Sequence, residues 1–241
     1  MKIFPVVQLS KFDIDGSIAA RESKTAFELG ADGVYIIDKY GAEDTKPLFE
    51  AYNLALAESV DKNIGLNILS LSPVSAMRAL AVSLGRREDG LLLPPGGLWV
   101  NDMRGDLKKD EAIKFRDSDV NTKRVRLLGG IAYRNTETYT ENPDMARYET
   151  VWLEDAVDVV VTSGPEINLP PSVEKCKAMK EMIGKKLFAV ASGLSIQNIG
   201  RYEGVVNEAI ITSGIETHNG SGVFNTAKLE ALIKAAHNLA N

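Results

Sequence analysis

The chain has 241 residues, about the length that one α/β barrel needs, and 44% of them are hydrophobic. Its net charge is −5 without a long run of Lys or Arg, which argues against a nucleic-acid partner. The single cysteine excludes an intramolecular disulfide, and no apolar run approaches the roughly 20 residues of a membrane span. Because the first residues also lack the pattern of a signal peptide, we expect a cytoplasmic protein without a membrane partner.

Short β-branched segments alternate with segments of helical period in the first half of the chain. The predicted strands are 3–9, 33–38, 64–69 and 98–101. A helix is predicted over 17–29, a second begins near Pro47 and reaches Val60, and a third begins at Pro73 with Ser72 as its N-cap. Residues 90–97 are predicted to be a turn or an inserted loop, since they are rich in Gly and Pro.

The alternation continues to the C-terminus. The predicted strands are 124–132, 157–162, 186–190 and 208–211, and the predicted helices are 108–116, 143–154, 173–183 and a short one over 196–202. Asn225 is the expected N-cap of the final helix, where Phe224 and Leu229 have the spacing of a hydrophobic staple. Cys176, Met179 and Met182 are predicted core residues.

Eight such units predict one closed (β/α)8 barrel that spans residues 1–241. Near-continuous apolar strands separated by helices are typical of a parallel sheet covered by helices. An open doubly wound sheet is the alternative. It would need a glycine-rich fingerprint after the first strand, and residues 9–13 do not form one.

The loops after strands seven and eight are candidates for an anion site. In barrels of this type a phosphate often lies there, where free N–H groups and a helix end favour negative charge. The alternative is ordinary turn chemistry. The predicted phosphate-binding residues are Ser192, Gly193, Ser195, Thr212, Ser213 and Gly214.

These segments resemble the BtpA/SgcQ family, whose members are barrels related to the ribulose-phosphate-binding group. The resemblance covers nearly the whole chain, and it implies a phosphate-bearing ligand. For some family members a role in photosystem biogenesis is proposed, and for others one in sugar or nucleotide metabolism. The segments that carry the resemblance are 161–164, 170–171, 191–195 and 211–214, together with 31–41, 65–68 and 99–101.

The chain departs from the family pattern at three places. Gln8 stands where the family usually has histidine, and Asp38 stands where it usually has glutamate. Residues 127–134 lack most of the acidic and basic side chains that are usual on the fifth strand. Family chemistry that depends on those groups is therefore in question for this chain.

Carboxylates are the candidates for acid–base work. Asp38 ends an apolar strand, where burial would raise its pKa, although it could equally cap a helix or anchor a loop. Asp102 is the second candidate. Three amides and one cation are predicted to bind the substrate, the cation as a lid over the anion: Gln8, Asn67, Asn101 and Arg134.

Histidine and cysteine chemistry has little support. With two histidines in the chain, a three-histidine metal site is excluded by count. His218 is expected in a polar loop, and His237 at a surface or packing position. Phosphoribosylanthranilate isomerases share the expected architecture but use a cysteine on the first strand, which is absent around Gln8. No cofactor is predicted, and a requirement for Mg²⁺ is left open.

Two functions follow from these features. The first is an enzyme that acts on a phosphorylated sugar or nucleotide as an isomerase, a lyase or a glycosidic-bond enzyme. The second is a non-catalytic binding or assembly protein that keeps the barrel and its phosphate loops. A small phosphorylated molecule is the expected partner in both. A homo-oligomer is left open, with residues 91–95 as a candidate exposed apolar patch.

Overall fold

The computed structural model describes residues 1–9, 13, 15–38, 44–59, 61–69, 71–85, 96–104, 109–118, 125–218 and 221–239. The strands are β1 (Lys2–Leu9), β2 (Val34–Asp38), β3 (Ile64–Asn67), β4 (Leu98–Val100), β5 (Leu127–Gly130), β6 (Val159–Thr162), β7 (Leu187–Ala191) and β8 (Glu208–Ile211). The helices are α1 (Ser17–Glu28), α2 (Lys46–Glu58), α3 (Pro73–Gly85), α4 (Lys109–Ser118), α5 (Pro143–Leu153), α6 (Val173–Met182) and α7 (Thr226–Asn238).

The eight strands form a closed parallel barrel in chain order. Each strand pairs with the next, and β8 closes the barrel on β1 with Ile3 opposite Ala209. Crossover helices of this kind place parallel strands side by side and cover the sheet from outside. The predicted (β/α)8 barrel is therefore confirmed. The stretch 86–95, which includes most of the predicted inserted loop and the apolar patch, lies outside the described residues.

Side chains alternate between the barrel interior and the layer that packs against the helices, because successive residues of a strand point to opposite faces. Phe4, Tyr35, Trp99 and Tyr133 make a chain of tilted or edge-on ring contacts through the interior, with centroids 5.8 to 6.2 Å apart. Gly65 makes room for this chain, since a Cβ there would overlap the Tyr35 ring. The interior is thus a packed core below the mouth.

An ion pair lies at the opposite end of the barrel from the strand C-termini. The Arg126 guanidinium donates to the two Glu208 carboxylate oxygens at 2.8 and 3.1 Å, and to the Tyr35 hydroxyl at 3.3 Å. Glu208 is fully buried, while the Arg126 side chain keeps 24% of its surface exposed. These contacts join β8 to the segment before β5 across the barrel interior.

The final helix begins as predicted. Asn225 Oδ1 accepts a hydrogen bond from the Lys228 N–H at 3.1 Å, and Phe224 and Leu229 are both buried. In contrast, the predicted helix over 196–202 is reduced to a 3₁₀ turn at Ile199–Tyr202. The Asn198 amide explains the difference, because it bonds backward to the Gly193 carbonyl and the Ser195 N–H.

Two helices, α5 and α6, expose large hydrophobic side chains. On α5, the three largest side chains of one side are exposed: Met145, Tyr148 and Trp152. The buried face of that helix is instead made by smaller or polar side chains: Ala146, Glu149, Thr150 and Leu153. On α6, Cys176 and Met179 are buried as predicted, but Met182 is 36% exposed because the buried face continues to Ile183 instead. The prediction that Met182 is core is therefore wrong.

Among the helices of the described segments, none combines the length and the apolar character needed to cross a lipid bilayer.

Candidate functional site

A cavity of about 680 Å³ opens at the C-terminal ends of the strands. It is bounded by the end of β1, by the segments after β4 and β5, and by the turns after β7 and β8. Its lining includes six residues singled out in the sequence: Gln8, Asn101, Asp102, Arg134, Ser192 and Thr212. The structure therefore brings together amides, a carboxylate, a guanidinium and two hydroxyls around one space.

Strand register sets the inner wall of the cavity. Gln8 is opposite Ile37, Ile37 is opposite Asn67, and Asn67 is opposite Trp99. These four residues form one layer across β1 to β4. Asn67 is fully buried, and its Nδ2 donates to Asn101 Oδ1 at 3.0 Å. Asn67 and Asn101 are thus in contact, and Gln8 lies two strands away in the same layer.

The two predicted carboxylates differ in position. Asp38 is opposite Leu9, a residue of the layer between barrel and helices, whereas the preceding Ile37 lines the cavity. By strand alternation Asp38 points away from the cavity. Asp102 lines the cavity, and its Oδ1 accepts from the Arg104 N–H at 2.9 Å in a local turn. Of the two, Asp102 is the one that lines the cavity.

Arg134 links the ends of three strands at the cavity wall. Its N–H donates to Ser163 Oγ at 2.8 Å, and its Nη1 donates to Ser192 Oγ at 3.0 Å. The Ser192 hydroxyl in turn donates to the Glu166 carbonyl at 3.3 Å. The guanidinium is therefore anchored beside β7, whereas the sequence favours a mobile lid at this position.

The turns after β7 and β8 lie next to each other. A Cβ built on Gly214 would lie 3.6 Å from the Leu194 carbonyl oxygen, and Ser192 N–H donates to the Ile210 carbonyl. The N–H groups of Gly193 and Leu194 donate to no residue that the structure describes. This proximity is what a shared anion site requires.

The predicted phosphate residues do not all face the cavity. Ser192 and Thr212 line it, and Gly193 and Gly214 lie beside it in the two turns. The Ser195 N–H donates to the Asn198 side chain at 2.9 Å, and Ser195 is not part of the cavity lining. The side chain of Ser213 lies outside the described part of the molecule.

A buried lysine supports this end of the barrel, and the sequence did not single it out. Lys175 of α6 has no exposed surface, and its Nζ donates to the carbonyls of Ala132 and Ser163 at 2.9 and 3.0 Å. It also donates to Glu141 Oε1 at 3.2 Å. Burial lowers the pKa of Lys175, although the Glu141 carboxylate opposes that shift. The lysine thus joins the ends of β5 and β6, which carry Arg134 and Ser163.

Two aromatic residues also line the cavity and were not predicted as site residues. Trp99 and Tyr133 pack edge to face with their ring centroids 6.2 Å apart. Burial raises the pKa of the Tyr133 hydroxyl, and the positive charge of Arg134 offsets part of this shift. Both lie in apolar stretches of the sequence, and only the tertiary structure shows that they face the cavity.

Histidine lies away from the cavity. His218 is exposed and is not part of the lining, and His237 Nε2 is 3.0 Å from Asp32 Oδ2, between α7 and the segment before β2. Within the described ranges, no group of three or more His, Cys, Asp or Glu side chains is arranged to hold a metal ion.

Neither a family model nor a curated protein matches the chain. Solved barrels do match it. N-(5'-phosphoribosyl)anthranilate isomerase from Pyrococcus furiosus is 14% identical over 99% of both chains, with a TM-score of 0.62. The Thermotoga maritima isomerase is 11% identical over 99% of both chains, with a TM-score of 0.66.

A third solved structure has a bound substrate. It is (S)-3-O-geranylgeranylglyceryl phosphate synthase from Thermoplasma acidophilum in complex with sn-glycerol-1-phosphate. It is 9% identical, with 98% of this chain and 93% of that chain covered and a TM-score of 0.63. The chain is a TIM barrel. At these identities the likeness extends to the fold and not to the reaction.

Proposed function

We propose that the chain binds a phosphorylated sugar or nucleotide in the cavity and catalyses acid–base chemistry on it. The arrangement at Arg134 carries the proposal. Its guanidinium is held by Ser192 at the cavity wall, next in sequence to Gly193 and Leu194, whose N–H groups have no acceptor among the described residues. A planar cation and adjacent backbone donors are the groups that bind a phosphate dianion.

The comparisons support a phosphorylated ligand. The neighbouring enzymes are named for a phosphoribosyl substrate and for a glyceryl phosphate, and one of them holds sn-glycerol-1-phosphate. Barrels often place such groups at the turns after strands seven and eight. Membership of the BtpA/SgcQ family is part of the proposal, because its motif segments 191–195 and 211–214 follow adjacent strands.

The position of the carboxylates favours an isomerase or lyase. Among the described residues that line the cavity, Asp102 is the one carboxylate. Glycosidic-bond hydrolysis generally uses two carboxylates on opposite sides of the bond. We assign the role of base to Asp102, with the Tyr133 hydroxyl, which lines the same cavity, as the candidate acid. Asp38, the first candidate from the sequence, points away from the cavity and is the comparison variant for this role.

The alternative is a binding or assembly protein without catalysis. It is favoured by the composition of the layer across β1 to β4, where Gln8, Asn67 and Trp99 are neutral at every accessible pH. A cavity that is rich in amides and aromatic rings recognises a ligand well but offers few groups that exchange protons.

Thermal-shift measurements with inorganic phosphate, ribose 5-phosphate and AMP test the binding step. We expect stabilisation of the wild type and its loss in Arg134→Met. Turnover of the stabilising compounds is then compared among wild type, Asp102→Asn and Asp38→Asn. Stabilisation without turnover would support the binding protein, and absence of a shift with every phosphate compound would overturn both forms of the proposal.

The remaining properties are proposals of smaller scope. One Thermotoga maritima isomerase structure is described as derived from a dimeric protein, and a homo-oligomer stays a prediction for this chain. Sedimentation of the purified protein measures it. A cytoplasmic location and a requirement for Mg²⁺ also stay predictions. Adding Mg²⁺ or EDTA to the turnover assay tests the latter.

A further inference from the structure

Three polar atoms at the base of the cavity are buried without a partner. They are Gln8 Oε1, Asn67 Oδ1 and Trp99 Nε1, and none has a hydrogen-bond partner among the described residues. Buried polar atoms in folded proteins are nearly always hydrogen-bonded, so three unpaired ones beside a cavity call for a partner that the described residues do not supply. The set contains two acceptors and one donor.

The barrel register places these atoms at one level. Gln8, Ile37 and Trp99 line the cavity, and Asn67, which is fully buried and not part of the lining, lies between Ile37 and Trp99 in the same layer. Below this level the interior is filled by the rings of Tyr35 and Phe4. The layer therefore forms the floor of the cavity, and we refer to Gln8, Asn67 and Trp99 as the polar floor.

The orientation of Asn67 is set by its neighbour. Its Nδ2 donates to Asn101 Oδ1 at 3.0 Å, which leaves Oδ1 as the acceptor without a partner. The Trp99 indole can only donate. The floor therefore needs a group that donates to Asn67 and a group that accepts from Trp99. A hydroxyl does both, so a ligand with several hydroxyls offers every kind of partner that the three atoms lack.

We infer that the polar floor binds the hydroxyl-bearing part of the ligand, and that the ligand is a phosphorylated sugar or polyol with its phosphate at the Arg134 end of the cavity. This inference rests on the proposed function, because it assumes a phosphate compound in the cavity. The floor carries no charged side chain, so a carboxylate or ammonium group there would be buried without a counter-charge. A neutral polyol chain meets no such cost.

Calorimetric titration with matched phosphates tests the inference. The probes are inorganic phosphate, propyl phosphate, sn-glycerol-1-phosphate and ribose 5-phosphate. We expect the two hydroxylated compounds to bind at least about tenfold more tightly than propyl phosphate, the factor that one or two added hydrogen bonds supply. Trp99→Phe and Gln8→Met should each remove most of this advantage, while their affinity for inorganic phosphate stays that of the wild type.

Tryptophan emission gives a second readout that needs no change to the floor. The chain has two tryptophans, and Trp152 is on the outer face of α5. In a Trp152→Phe background, Trp99 is the sole indole. Ribose 5-phosphate should then shift or quench its emission, and inorganic phosphate should leave it unchanged. This measurement still tests the inference if a variant of the polar floor fails to fold.

The outcomes separate the two proposals. Tight binding of inorganic phosphate together with equal affinities for propyl phosphate and ribose 5-phosphate would overturn the polar floor and leave the phosphate site standing. The polar floor is also overturned if AMP binds more tightly than ribose 5-phosphate and that preference depends on Trp99. If no phosphate compound binds, the proposed function and this inference both fail.

Discussion

At the scale of single residues, Ser192 is held in an unfavourable backbone conformation beside the cavity. Its φ of 102° lies in a region that non-glycine residues rarely adopt, at a cost of about 1–3 kcal/mol. The hydroxyl nevertheless receives Arg134 Nη1 and donates to the Glu166 carbonyl. Strain that is kept at a cavity wall is typical of a functional position.

Replacing Ser192 by glycine separates the strain from the contact. We expect Ser192→Gly to raise the free energy of unfolding by up to about 1 kcal/mol, since glycine adopts this φ freely. Phosphate affinity should fall, because Arg134 loses its anchor. Urea denaturation and phosphate titration measure the two effects. The matched control is Asp61→Gly, which has a φ of 61° at the other end of the barrel and should leave phosphate affinity unchanged.

Gly193 combines a positive φ of 74° with close packing. A Cβ there would overlap the backbone at Leu169 and Pro170, in the loop between β6 and α6. Gly193→Ala should therefore lower the free energy of unfolding by about 2–4 kcal/mol, through backbone strain and displacement of that loop. Gly204→Ala is the control, because Gly204 has a φ of 72° with open space around it. Its cost should be about 1 kcal/mol. Equal unfolding free energies for the two variants would contradict the packing argument.

At the scale of elements, a buried ionic cluster fastens α6 to the ends of β5 and β6. Lys175 bonds two strand-end carbonyls, and Glu141 accepts from the Ser172 N–H at 2.8 Å and from the Tyr139 hydroxyl at 2.9 Å. Burial acts to raise the pKa of Glu141. The Ser172 hydrogen bond and the Lys175 charge outweigh it, so the pKa lies below its ordinary value of 4.5. The segment that carries Arg134 thus depends on an ionised carboxylate.

This shift gives a pH dependence of definite sign. A carboxyl whose pKa is lower in the folded than in the unfolded state contributes stability above the unfolded value, and that stability is lost as pH falls through the folded value. We expect the urea midpoint to decline below about pH 4.5. Glu141→Gln should be less stable at pH 7 and should show a shallower decline. If the urea midpoints of the variant and the wild type decline in parallel as the pH falls, Glu141 does not cause the decline.

At the scale of the whole molecule, the barrel closes through the contact of β8 with β1, and Glu208 begins β8. The Glu208 carboxylate is buried and meets Arg126 from before β5, on the far side of the interior. Removing one member of a buried ion pair leaves the other charge uncompensated, whereas replacing both by apolar residues costs much less.

A double-mutant cycle tests this contact. Glu208→Leu should lower the free energy of unfolding by about 3 kcal/mol, at the lower end of the usual range because Arg126 keeps partial exposure to water. The Arg126→Met/Glu208→Leu double variant should recover at least half of that loss. Urea denaturation measures all four proteins. Additive losses in the double variant would mean that the two groups do not stabilise the fold as a pair.

The sequence by itself determined the order of elements and the barrel. Eight apolar strands alternate with helices, the strand 208–211 and the N-cap at Asn225 have the predicted bounds, and the turns after β7 and β8 were identified as neighbours. The strand bounds, the helix periods and the caps are local features, because residues a few positions apart set them.

Only the tertiary structure decided which side chains meet at the cavity. Strands buried on both faces are apolar throughout, so their sequence does not say which residues point inward. The register gave the inner position to Ile37 and the outer one to Asp38, and it brought Trp99 beside Asn67. Lys175 shows the same limit. Its burial comes from partners 12 to 43 residues away, and no pattern within a single helix records contacts at that distance.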